Sequence, residues 1–334
     1  MDAIFLVKNG KSEIAFERKE MKVLEPSDDE VCVEVEAFGL NFADVMARLG
    51  LYKDCPPLPT IIGYEAVGKV IKIGKNIGHV KIGDRVIAFT RFGGYAQYVL
   101  TEGVACVKIA DDYDTGKALA LATQYCTAYY ACCVATNVLP GERVLVQAAA
   151  GGVGTALVQL CKWKGAIVYG TAGSPKKLEY LKAQGVDFPI NYNEKSIDSA
   201  IKEKMDVVFD SLGGSDFKKG WNLLERGGRL VGYGAATQTD SKNIFGTLKL
   251  GVGFGIYHPV QLLMESKALI GVNMLRIADY KPNTLKYCME EVVKLAESGI
   301  IDPVVGGIYS IDKLNEAHND LESRKSVGKL GVKW

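Results

Sequence analysis

Histidine is scarce in this chain, three in 334 residues, and the three are scattered: His79 in a glycine-rich turn, His258 before a proline, His318 in a late helical stretch. No local pattern joins them into a metal or catalytic constellation, so each reads as a surface or structural residue. Eight cysteines are present without a single C-x-x-C pair. That spacing argues against a zinc knuckle or a redox motif, and points to reduced, mostly buried thiols of a cytosolic protein. The formal net charge is only +1, with no long run of one sign, so the electrostatic footprint that nucleic acid demands is missing. No apolar stretch approaches the roughly 18 residues of a membrane span. The apolar run in MDAIFLVKNGKSE is too short for a signal peptide. The expected location is cytoplasmic. No repeat of fixed period occurs.

What is present is an ordinary globular balance, 48% hydrophobic and 24% charged, in a length that suggests two domains. The first part reads as short strands between turns: Glu30 to Ala37 alternates apolar and polar, followed by Ala66 to Ile73, Gly83 to Ala88 and Tyr95 to Leu100. This predicts a largely β, barrel-like unit. Lys117 to Val134 is apolar with a helical period. From Arg143 the pattern becomes strand, glycine turn, helix, strand: Arg143–Gln147, Gly154–Lys164, Ala166–Thr171, Lys176–Gln184, Asp206–Asp210, a short helix at Gly220–Leu224, Arg229–Tyr233 and Leu269–Asn273. Alternation of that kind predicts a parallel sheet covered on both faces. A long helix after Ala278, a β segment at Val304–Ser310, a helix at Lys313–Leu321 and a last strand read as a return to the first domain, which makes the second an insertion.

The glycine turn carries the chemistry. Val144-Leu145-Val146 leads into Ala148 to Gly154, where Ala149, Gly151 and Gly154 form a dinucleotide fingerprint at the opening of a helix. The tight turn brings Ala150, Gly151, Gly152, Val153 and Gly154 backbone close to a pyrophosphate, and the helix start offers unpaired N–H groups to the anion. An NAD site would place an Asp or Glu about 20 residues later to bind the ribose 2′-hydroxyl. This chain has Thr171, Ala172, Gly173 and Ser174, then Lys176 and Lys177. A hydroxyl and cations there suit a 2′-phosphate, and two cations at a helix start oppose the dipole. The expectation is NADPH, with Gly173, Ser174 and above all Lys177 in contact with it.

With these residues in view, the chain resembles the medium-chain dehydrogenase/reductases along almost its whole length. The matching segments are Gly39 to Arg48 with Gly50-Leu51-Tyr52, Gly63-Tyr64-Glu65, Gly83-Asp84-Arg85-Val86 and Ala148 to Gly154. Within that superfamily they look like the zinc-free quinone oxidoreductase and zeta-crystallin branch. Gly213 to Gly220 and the ending Ser326 to Lys329 are similar to vesicle amine transport protein homologues. The resemblance implies an α/β fold: a GroES-like, β-rich barrel catalytic domain (1–124 and 278–334) and a Rossmann doubly wound parallel-sheet coenzyme domain (125–277), with the active site in the cleft between them. It implies further cofactor contacts at Thr127, Tyr192, Gly234, Val272, Asn273 and Arg324, and a homodimer through the edge strand of the coenzyme domain. Zinc-dependent relatives carry a Cys where this chain has Asn41 and a His where it has Tyr64. The four-cysteine lobe is also missing between Val86 and Tyr95. An amide and a phenol are poor zinc ligands, so no metal is expected.

Without a metal, the simplest chemistry is hydride transfer to a quinone or other α,β-unsaturated carbonyl. The growing negative charge on the acceptor oxygen needs a hydrogen-bond donor. Tyr52 with Asn41 is the favoured choice, and Tyr64 is the third candidate. A tyrosine of ordinary pKa, about 10, donates at neutral pH without ionising. Asp44 is expected to organise its loop rather than to supply protons. The alternative reading is a catalytically weak NADPH-binding protein with a structural or partner-binding role. The glycine-rich apolar segment Asn243 to Tyr257 reads as a pocket wall or subunit interface.

Overall fold

The computed structural model describes residues 1–23, 25–235 and 253–334. The chain divides into two compact units, Met1–Cys126 with Met274–Trp334, and Thr127–Asn273. The breaks fall two residues after and four residues before the expected boundaries. The first lies inside a helical stretch. The second lies just before the helix Met274–Tyr280, which was not anticipated and packs on the long helix Pro282–Glu297 of the same unit.

The first unit is built around β-strands. Its strands are β1 (Asp2–Leu6), β2 (Phe16–Glu20), β3 (Glu30–Leu40), β4 (Glu65–Ile73), β5 (Arg85–Phe89), β6 (Tyr98–Glu102) and β7 (Cys106–Lys108), joined by β14 (Val305–Ser310) and β15 (Lys329–Lys333) near the C-terminus. Seven of them form one sheet, ordered β14-β15-β3-β4-β5-β7 with β6 also paired to β3, and β1 and β2 form a separate ribbon. The pairs are antiparallel except β14 with β15. The Val31, Val33 and Val35 side chains of β3 join Phe38, Ala66, Val86, Tyr95 and Leu330 in one core. The strand expected at Tyr95–Leu100 starts later, at Tyr98. Tyr95 instead ties its backbone N–H to Ile62 and its carbonyl to Ile4.

Lys117–Val134, read as one helix, is helical from Thr115 to Ala135. It alternates α turns with wider π turns at Leu121–Tyr125 and Tyr130–Ala135.

The second unit is a six-stranded parallel sheet. Its strands are β8 (Arg143–Val146), β9 (Ile167–Ala172), β10 (Phe188–Asn191), β11 (Met205–Asp210), β12 (Leu224–Gly232) and β13 (Ala268–Gly271), in the order β10-β9-β8-β11-β12-β13. Every pairing is parallel. The chain winds outward from β8 in one direction and, from β11, in the other, so the topological switch lies between β8 and β11. The helix expected at Gly220–Leu224 is longer at its start, Gly214–Leu223, and Leu224 already belongs to β12. Its Phe217 and Trp221 pack on Leu145, Val208 and Leu230 from the sheet. Of the Asn243–Tyr257 segment, 243–252 lie outside the described residues. Phe254 and Tyr257 pack edge-on against Phe217, with ring centroids 5.0 and 6.3 Å away.

Candidate functional site

In the second unit the site is made of backbone. β8 ends in a buried valine, and Ala148 takes a left-handed φ of 51° to turn the chain. Ala148 N–H donates to Thr171 Oγ1 at 3.0 Å, and Ala149 N–H to the Thr171 carbonyl at 2.9 Å, so the end of β9 props the loop. Gly151 caps the helix Gly152–Trp163. The first intrahelical bond runs from Thr155 N–H to the Gly151 carbonyl, 2.8 Å. The N–H groups of Gly152, Val153 and Gly154 therefore have no intrahelical acceptor. A Cβ on Gly154 would stand 2.4 Å from the Ala148 carbonyl oxygen and 2.8 Å from Ala149 Cα. Only glycine lets the helix sit this close to the strand end, which keeps its positive pole at the loop.

The neighbouring strand ends in the same style. After β9, Ser174 caps the helix Pro175–Ala183, its hydroxyl accepting the Lys177 N–H at 3.3 Å. Gly173 leaves the space that Tyr192 fills: a Cβ there would be 2.3 Å from the tyrosine oxygen. Asn193 Nδ2 donates to the Gly173 carbonyl at 2.7 Å. Lys176 is exposed, whereas Lys177 is half-buried, and burial lowers the pKa of its ammonium. A partly desolvated cation at a helix start, where the dipole is also unfavourable, gains most from an anion. Tyr192 follows β10. Gly234 follows β12, close against Ser211. Val272 and Asn273 follow β13, with Val272 N–H on the Gly232 carbonyl at 2.9 Å. Ala150 to Gly154, Gly173, Ser174, Lys177, Tyr192, Gly234, Val272 and Asn273 thus all stand at the carboxyl ends of parallel strands, where open α/β sheets bind their ligands. Thr127 belongs to this unit as well, in the helical turn Cys126–Tyr129. Arg324 does not. It lies in the first unit, exposed, with its guanidinium 5.7 Å from the ring of Phe42.

In the first unit the site is made of side chains. Asn41 N-caps the helix Phe42–Arg48, and Asp44 returns the capping-box bond by accepting the Asn41 N–H at 2.7 Å. The Asn41 amide is held at both ends. Its Nδ2 donates to Glu65 Oε1 at 2.8 Å, and its Oδ1 accepts from Lys329 Nζ at 3.1 Å. Lys329 also donates to the Leu40 carbonyl at 3.0 Å and forms an ion pair with Glu65 in which both side chains are wholly buried. Gly39 makes the room, for a Cβ there would meet Glu65 Oε1 at 2.2 Å. The amide is fixed in this way, with one of its two N–H groups used by Glu65.

Tyr64 is buried beside this network. Tyr52, half-buried, packs against it edge-on with ring centroids 6.1 Å apart. Burial, and next the charge of Asp44, raises the Tyr64 pKa. Burial followed by Asp54 raises that of Tyr52. Both phenols therefore stay protonated donors at neutral pH. Asn41, Tyr64 and Tyr52 lie in one neighbourhood of this unit. Glu65 and Lys329, which hold Asn41, were not singled out. A charged residue opening each of two strands, EAVGKVIKI and KLGVK, whose next three positions are apolar or glycine, is the available signal.

Among the described residues, no three His, Cys, Asp or Glu side chains are grouped to hold a metal ion, and no helix is long and apolar enough to cross a membrane.

The model for an alcohol dehydrogenase GroES-like domain matches residues 27–111, and that for a zinc-binding dehydrogenase matches residues 152–290. The human synaptic vesicle membrane protein VAT-1 homolog is 35% identical over 312 residues, 91% of this chain and 79% of that protein. The structure of Escherichia coli quinone oxidoreductase complexed with NADPH superposes with a TM-score of 0.86 at 27% identity, covering 100% of both chains. The CurK enoyl reductase superposes with a TM-score of 0.83 at 26% identity over 99% of each.

Proposed function

Since the chain belongs to the medium-chain dehydrogenase/reductase superfamily, we propose that it is an NADPH-dependent, zinc-free reductase of quinones or other α,β-unsaturated carbonyls. The observation that carries this is the second unit's strand-end site. It offers an open helix start that suits a pyrophosphate, no carboxylate from Thr171 to Leu178, and a half-buried Lys177 at the start of the next helix, a cation that suits a 2′-phosphate. When bound, NADPH supplies the hydride.

The chain's own residues do the rest. Ala150 to Gly154 hold the pyrophosphate, and Ser174 with Lys177 reads the extra phosphate. Gly173 and Tyr192 line the adenosine end, while Thr127, Gly234, Val272 and Asn273 line the nicotinamide end. Tyr52, with the remaining N–H of Asn41, donates to the acceptor oxygen as negative charge grows on it. Tyr64 backs Tyr52.

The donor set opposes a divalent metal. The Lys329 ammonium already sits on Asn41 Oδ1 and Glu65 Oε1, and a second cation on those oxygens would be repelled at close range. A cytoplasmic homodimer through the open edge strand β13 fits the apolar surface beside it, where Val260, Leu263 and Met264 are exposed on the preceding helix.

The test is NADPH oxidation by purified protein against ortho- and para-quinones and simple enones, with metal analysis of the same sample. Turnover with substoichiometric zinc supports the reading, and stoichiometric zinc contradicts it. The likeness to a vesicle protein favours a second reading, a cofactor-binding protein of structural role. Tight NADPH binding with no turnover on any acceptor would select it.

A further inference from the structure

Two turns of the first unit pack an aromatic ring on Tyr64, and charged side chains join them at the surface. Tyr52 opens the first turn, in which the Cys55 N–H donates to the Tyr52 carbonyl at 3.1 Å, and Asp54 lies inside it. Arg91, with a left-handed φ of 57°, and Phe92 form the second, which the Gly93 N–H anchors on the Ile61 carbonyl at 3.0 Å. The Tyr52 and Phe92 rings are half-buried, with centroids 6.1 and 5.2 Å from that of buried Tyr64. The helix Met274–Tyr280, seated by buried Met274 and Leu275, carries Arg276 and Asp279 about one turn apart. Arg276 forms an ion pair with Asp54 through Nη2, and with Asp279 through Nη1 at 3.2 Å. Asp279 takes Arg91 with both oxygens, at 3.0 Å from Nε and 3.2 Å from Nη2. Asp54–Arg276–Asp279–Arg91 is thus one continuous chain of ion pairs from the Tyr52 turn to the Phe92 turn, all within the first unit. A single exposed ion pair adds little. Here the pairs form a network, one of them is bidentate, and the two aspartates keep only 27% and 22% of their side chains exposed.

We propose that Arg276 is a positioning residue for the acceptor: through Asp54 on one arm, and Asp279 with Arg91 on the other, it clasps the Tyr52 and Phe92 turns against Tyr64 and sets how tightly the first unit takes the acceptor. The proposal rests on the reductase reading above. Arg276 acts through Tyr52, the donor to the acceptor oxygen, and through the Phe92 ring. A planar guanidinium suits the task, because its separate N–H arms reach two carboxylates at once, which the point charge of a lysine does less well. Turns held in place beforehand leave less ordering to be done when the acceptor binds. The ion pairs are open to solvent, so salt weakens them. The clasp therefore makes the affinity for an uncharged acceptor depend on ionic strength, although the acceptor itself carries nothing for salt to screen.

Two measurements test it. The first needs no turnover: hydrogen exchange read by mass spectrometry compares wild type with Arg276→Gln. Faster exchange in the peptides that hold Cys55 and Gly93, with β3 unchanged, supports the clasp. Unchanged exchange in either turn overturns it. The second follows kcat and KM for an uncharged enone at saturating NADPH, from about 50 mM to about 1 M sodium chloride. The expected result is a wild-type acceptor KM that rises with salt. In Arg276→Gln the low-salt KM should be about fivefold higher and should no longer respond to salt. Asp54→Asn should do the same, and the double variant should be no worse than either single one, because all three break one chain. The NADPH dissociation constant and Tm should stay near wild type. Variants with wild-type KM and salt response overturn the clasp and leave the reductase reading standing. Loss of NADPH affinity or of Tm in step with acceptor KM also overturns it, since the ion pairs would then serve general stability. A wild-type protein that binds NADPH but reduces no acceptor overturns the reductase reading, and the acceptor role of Arg276 with it, whatever the exchange shows.

Discussion

The two units build their sites from opposite materials. In the second unit, the loop from Ala148 to Gly154 uses backbone N–H groups, a left-handed alanine and a glycine pressed against a carbonyl. It contains no titratable side chain. In the first, Asn41, Asp44, Glu65 and Lys329 form a buried network with a Glu–Lys ion pair and a perturbed carboxyl, and Tyr64 is buried beside it. The difference follows from the tasks proposed. Holding a pyrophosphate needs fixed dipoles aimed at a fixed anion, which a helix start provides without any proton changing place. Receiving a hydride acceptor needs donors whose position and protonation are both set, and only side chains carry protons that move. Changes in the first unit should therefore register as stability and pH dependence, and changes in the second as cofactor affinity.

The largest effect should come from the ion pair. Lys329→Met leaves Glu65 buried without its partner, and such a loss costs about 3–5 kcal/mol. Urea unfolding should show it, and adding Glu65→Gln should recover part. A single variant as stable as wild type would mean that the pair is not buried.

The next effect is a pH dependence that reaches into the second unit. Burial pushes the Asp210 carboxyl up to about 7, with its Oδ1 accepting the Gly213 N–H at 2.7 Å. The folded protein keeps a proton there that the unfolded chain releases near pH 4. Stability should thus fall as pH rises from about 4 to about 7, by up to about 4 kcal/mol. Asp210→Asn should flatten that share of the slope, and an unchanged slope would place the titration elsewhere. His318 in the first unit works the other way. Burial pushes it down to about 3, so its contribution is lost as pH falls from about 6.5 towards 3.

Gly154→Ala should leave the fold in place and weaken NADPH binding about a hundredfold, roughly 2.7 kcal/mol, because the clash is with backbone. Fluorescence titration of the bound nicotinamide reads this directly, and unchanged affinity would break the contrast between the units. Smallest of the four, Lys177→Ala should cut the preference for NADPH over NADH about tenfold, the loss of one charge-assisted contact.

How much was legible follows the same division. The glycine turn announces itself locally, since strand, turn and helix are consecutive and the spacing of Gly151 and Gly154 is the geometry itself. The alternation from Arg143 onward likewise gave the parallel sheet. The β10 strand escaped, because Phe188-Pro189-Ile190-Asn191 is four residues long and holds a proline, which an edge position tolerates. The β1–β2 ribbon escaped too, since β2 is mostly polar and exposed. The family pattern brought Asn41, Tyr52 and Tyr64 together. What fixes Asn41 did not show: Lys329 and Glu65 are 264 positions apart, and a buried pair that distant leaves no periodic trace. Asp44 was read as a loop organiser, which its bond to Asn41 N–H bears out.

In the proposed function, the strand-end site of the second unit selects NADPH for delivery to an unsaturated carbonyl acceptor. The most direct measurement is oxidation of NADPH and of NADH, followed in parallel by loss of the reduced nicotinamide absorbance, with one quinone held constant. The expected kcat/KM for NADPH is about tenfold or more above that for NADH. Equal use of the two, or a preference for NADH, would contradict the reading of Ser174 and Lys177 on which it stands.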